Sequence, residues 1–194
     1  MLDTIFGLPV HPLVVHATTV IVPSAAVAVL LAAVWPRFRR WAGWLPLALS
    51  VLAVVLTPLS TQSGEALERR VEHSDLIEQH SELADGLLPW VILLLVGAAA
   101  LYVVARRERA AAADATDGAT DGATAPAPPV AAERVAPAAV LPRWLLVGAA
   151  VVGLVAALGT SVQVVRIGHS GAQAAWSDSV SQTPAPQGGD GDGN

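Results

Sequence analysis

The chain has 194 residues, 54% of them apolar and 14% charged, which leaves too little polar surface for a soluble domain of this length. A net charge of −5 argues against the basic stripe that nucleic-acid binding needs, and the absence of cysteine excludes disulfides, thiolate metal sites and c-type haem attachment.

The opening MLDTIFGLPVHP has no basic residue ahead of its apolar run, so it predicts a retained first span and not a cleaved signal peptide. Crossing a bilayer takes about 20 apolar residues in a helix. Four stretches reach that length: 12–34, 42–61, 87–105 and 144–165. Pro12 suits a first helical turn, where its missing N–H costs nothing. Pro23 lies inside the first span and Pro58 near the end of the second, where kinks are expected and tolerated in membrane helices. Between spans two and three, EALERRVEHSDLIEQHSELADG predicts a short amphipathic helix. Residues 110–142, with ATDGATDGAT followed by APAPP, read as a flexible linker, and 177–194 as a polar, Gly-rich tail. The expected fold is all-α: a four-helix transmembrane bundle with a short amphipathic extracytoplasmic helix. The expected divisions are 1–109, 110–142, 143–176 and 177–194.

Arginine supplies the orientation, because the chain contains no lysine. Arg37, Arg39 and Arg40 follow the first span, and Arg106, Arg107, Arg109, Arg134 and Arg143 follow the third or border its loop. Arg69, Arg70 and Arg166 fall on the other side. This bias puts the first and third loops in the cytoplasm of a plasma (inner) membrane protein and both termini outside. Trp35, Trp41, Trp44 and Trp144 then mark the inner interface, with Trp90 and Trp176 at the outer one. Small residues recur every four positions in the fourth span (Ala149, Gly153, Ala157, Ser161) and the first (Ser24, Ala28, Ala32), as close helix packing requires.

The expected topology sets all five histidines, His11, His16, His73, His80 and His169, on or near the outward face. His16 falls within the membrane boundary, where an ionisable side chain is a functional candidate by default. If the segment between spans two and three is helical, His73 and His80 share a face two turns apart. His169 lies just past the fourth span between Gly168 and Gly171, which permit close approach of a neighbour. Thr18, Thr19, Thr57, Ser60, Thr61, Gln62, Thr160, Ser161, Gln163 and Arg166 gather at the same depth. With Glu65, Glu68 and Glu72 nearby, they predict a polar pocket that opens outward.

HPLVVH, then SGEALE followed by a His-containing helix, then GHSGAQAAW resemble a bacterial family of predicted four-span membrane proteins, the domain of unknown function numbered twenty-two thirty-one. The resemblance covers about residues 8–180 apart from the linker. It implies that His11, His16, His80, His169, Gly64 and Glu65 occupy the family's recurring positions.

Three functional readings stay open. His16 with His80 or His169, and with His11 nearby, could hold a b-type haem in a redox role, since bundles bind haem between facing imidazoles. His11, His16, His80, His169 and Glu65 could instead ligate a transition metal ion, although no HxxxH or HExxH spacing occurs. A structural or accessory subunit without cofactor is the third reading. Its partners would be the lipid bilayer and a respiratory or redox complex, or a second copy. An enzyme is disfavoured: there is no GxSxG elbow, phosphate loop or dinucleotide fingerprint, and Ser170 beside His169 is poorly placed to be activated by it. A transporter is poorly supported, since four spans without charges at their middles offer no transport path unless the chain oligomerises.

Overall fold

The computed structural model describes residues 4–5, 8–69, 74–121 and 142–176. The architecture is the expected all-α one, preceded only by a two-residue antiparallel pair, β1 (Thr4–Ile5) with β2 (Leu8–Pro9). Six helices follow among the described residues: α1 (Val10–Val34), α2 (Pro36–Ala42), α3 (Leu45–Glu68), α4 (Asp75–Asp85), α5 (Leu87–Asp121) and α6 (Arg143–Trp176). Four of them, α1, α3, α5 and α6, are long and apolar enough to cross a membrane.

Several boundaries differ from expectation. The arginine-bearing loop after span one is itself helical, since Pro36 starts α2 at a position where no N–H is needed. The second span begins at Leu45 and takes in SGEALE, so Glu65 and Glu68 extend α3 and do not belong to the amphipathic helix. The helix after span three continues to Asp121, into the segment expected as linker. Its run RRERAAAADA consists largely of strong helix formers, which carry the helix on once nucleated. Likewise α6 continues through GHSGAQAAW to Trp176. The expected amphipathic helix is α4, whose Ser74 cap accepts from the Ile77 N–H and whose first turn carries Asp75 and Glu78 against the helix dipole.

The spanning helices close a ring in which α1 packs on α3 and α6, and α5 on α6 and α3. The core is built of small and branched residues: Ala25, Val29, Ala53, Val91, Leu94 and Ala156 are wholly buried. The α5–α6 crossing is closest at two glycines, where a Cβ added to Gly97 would lie 2.9 Å from the Gly153 Cα. The predicted stripe on α6 packs at Ala149, Gly153 and Ala157 but not at Ser161, which is exposed and donates to the Ala157 carbonyl. A four-residue repeat drifts about 40° per step round a 3.6-residue helix. Three steps carry Ser161 off the face, and Ser24 is exposed at the end of the α1 stripe in the same way. Outward-facing valines and leucines on all four helices leave an apolar girdle suited to lipid.

One end of the bundle carries α2, the C-terminal part of α5 and the start of α6. There Arg39 donates to Glu108 of α5 at 2.6 Å and to the Ala32 carbonyl of α1 at 3.0 Å. The other end carries α4, the start of α1 and the last turns of α6.

Candidate functional site

The α4 end holds the residues singled out by sequence. Its framework is a seam between α6 and the chain from α4 into α5. Ala149, Gly153, Ala156, Thr160, Gln163, Ile167 and Ser170 alternate by four and three along α6, the spacing that keeps one helix face turned to a neighbour. All of them are buried except Ile167, which is half-buried. Low on the seam, Gly159 makes room for Trp90: a Cβ there would lie 1.9 Å from the indole ring. Thr160 donates to the Trp90 carbonyl at 3.4 Å. Higher up, Gln163 Nε2 donates to the Leu83 carbonyl at 2.6 Å, in a space kept open by Gly86.

At the top His80 of α4 meets Ser170 of α6, with 3.0 Å between Nδ1 and Oγ. The Ser170 hydroxyl donates to the Ile167 carbonyl at 3.0 Å, so toward His80 it accepts. In the arrangement that satisfies both contacts, His80 carries its proton on Nδ1 and Nε2 keeps a lone pair. The ring lies against Gly171, whose added Cβ would come 3.0 Å from Cε1. Of the two glycines flanking the expected His169 site, Gly171 is the one in close contact, and the neighbour it admits is an imidazole. An added Cβ on Gly168 would meet nothing within 4 Å.

His16 has the same internal chemistry in a different place. Its Nδ1 donates to the Pro12 carbonyl one turn back at 2.6 Å, which leaves the Nε2 lone pair outward on an exposed side chain. The antiparallel helices α1 and α6 are level where Val29 faces Gly153. Thirteen residues of helical rise from there, about 20 Å, bring His16 level with residue 166, within about a turn of His169 and Ser170. Shared depth does not give a shared face. His169 is exposed, because it sits about 100° round the helix from the buried Ser170. Glu65 is exposed on α3, His11 lies in the first turn of α1, and His73 with Glu72 and Arg70 falls outside the described residues. Among the described residues no group of three or more His, Asp or Glu side chains is close enough together to hold a metal ion.

Several hydroxyls expected to line an outward-opening polar pocket bond to carbonyls of their own helices. Thr18, Thr57 and Ser161 donate to carbonyls four residues back in their own helices, and Thr19, Thr61 and Ser63 to carbonyls three residues back. Among the described residues every buried side-chain nitrogen or oxygen has a partner. The polar gradient thus reflects hydroxyls satisfied within their own helices, together with the α4–α6 seam. A strict four-residue repeat of small side chains does not pick out Ser170 and Gln163 as seam residues. The four-three alternation on α6 would have found both.

A family model described as a predicted membrane protein, DUF2231, matches residues 7–184. No curated protein and no solved structure matches the chain.

Proposed function

The chain belongs to the DUF2231 family of predicted membrane proteins, and from that footing we propose that it serves as a structural or accessory membrane subunit, a rigid four-span bundle capped by α4. The observation that carries this reading is the use of polar groups at the α4 end. Among the described residues the buried ones bond within their own helices or across the seam to α6, as a packing device requires. The arginine bias supports a plasma-membrane location with the α4 end and both termini outward. The partner on this reading is a larger membrane assembly, such as a redox complex, or a second copy of the chain. Native electrophoresis of gently solubilised, tagged protein tests it. Migration well above the monomer, unchanged in His16→Ala and His169→Ala, is expected, and a monodisperse monomer would contradict it.

One observation favours a second reading. His16 and His80 both bind through Nδ1 and hold Nε2 free of partners among the described residues, the arrangement in which a neighbouring acceptor orients an imidazole ligand. These two would be axial ligands to haem b, or, with His11, His169 and Glu65, ligands to a transition metal ion. A Soret band in purified protein that disappears in His80→Ala would support haem. A colourless preparation from haem-replete cells would oppose it, and equal metal content in wild type and His80→Ala/His169→Ala would oppose the metal.

A further inference from the structure

We propose that the α2 end carries a binding site for one anionic phospholipid, its phosphate held by Arg40 and Arg109 and an acyl chain laid along α3. Arg37 and Arg40 on α2, with Arg106, Arg107 and Arg109 on α5, are all exposed. The acidic side chain between them in sequence, Glu108, is already taken by Arg39, and none of the five exposed arginines is in an ion pair among the described residues. The fold then concentrates this charge at one turn. Gly43, at φ +62°, ends α2 three residues after Arg40, and the Arg109 guanidinium reaches across from α5 to lie over it. Its Nη2 is 3.6 Å, and its Nη1 3.8 Å, from where a Gly43 Cβ would be. The Arg109 guanidinium thus lies over the turn that ends α2, three residues after the exposed Arg40, and arginines contributed by two helices at one turn suit a phosphate by charge and hydrogen bonding together.

Directly beyond that turn a shallow, open apolar recess of about 470 Å³ lies along one face of α3, lined by Trp44, Leu47, Ala48, Val51, Leu52 and Val55. Cations at one end and an apolar face below complement an amphiphile with an anionic head, and neither a free anion nor a neutral lipid uses both. Trp41 and Trp44, strongly exposed on either side of Gly43, set this end at the level where indoles meet lipid headgroups.

The test is reconstitution of the full chain in nanodiscs of equal parts phosphatidylglycerol and phosphatidylcholine, then release into detergent and native mass spectrometry of the lipid that stays bound. Phosphatidylglycerol should be retained at least about fivefold over phosphatidylcholine, with about fivefold lost for each arginine removed in Arg40→Gln and Arg109→Gln. Val51→Gln, which places an amide in the recess and leaves the charge intact, should lower retention as well. Arg166→Gln, at the opposite end, should leave it unchanged. Arg109 is exposed and outside the Arg39–Glu108 pair, so its variant keeps the fold, as its helical circular dichroism will report. Equal retention of the two lipids by wild type would overturn the site. So would undiminished retention in the double arginine variant, or an equal loss in Arg166→Gln.

Discussion

At the α2 end one guanidinium ties three elements together, since Arg39 of α2 reaches Glu108 of α5 and the last turn of α1. At the α4 end the ties are neutral hydrogen bonds across a face kept open by glycines: Thr160 to Trp90, Gln163 to Leu83 and His80 to Ser170. A charged tie is long in reach and tolerant of shape, but each partner is costly to leave alone away from water. A neutral seam contributes less per bond and depends on steric fit. The two ends should therefore fail in different ways, and substitutions can separate them.

The largest effect is expected where fit is tightest. Gly159→Val would drive a branched side chain into Trp90, and a loss of about 3 kcal/mol should appear as a lowered thermal midpoint in detergent. At the other end, Glu108→Ala strands a largely buried Arg39 and should cost about 2 kcal/mol, less than a wholly buried pair would. Arg39→Met/Glu108→Leu should recover much of that loss, whereas no apolar replacement rescues Gly159→Val. The His80–Ser170 bond should give a coupling of about 1 kcal/mol in a double-mutant cycle of alanine substitutions. Smallest of all, His169→Ala and Glu65→Ala should each stay within about 0.5 kcal/mol, because both side chains are exposed. A large effect at His169 would show that it faces a partner the bundle itself does not supply.

The spans were legible because hydrophobic length is a local property, and so was α4, whose cap and acidic first turn stand beside its apolar positions. Helix ends were less so. Ala-rich continuation past Arg109 and the run through Gly168 and Gly171 depend on nucleation already achieved upstream. His16, His80 and His169 lie at similar depth along the described helices, but depth is set by sequence position and facing by helical phase. One residue of phase separates His169, turned outward, from Ser170, turned to α4. The Arg39–Glu108 pair joins residues 69 positions apart and had no local signal.

Nitrogen NMR of isotopically labelled histidine in the reconstituted protein tests most directly whether α4 is fastened to α6 through an oriented imidazole. His80 should appear as a single Nδ1–H tautomer with a proton slow to exchange, and Ser170→Ala should release it to an averaged signal while His169→Ala leaves it untouched. An Nε2–H tautomer, or an averaged His80 signal in the wild type indifferent to Ser170→Ala, would contradict the seam.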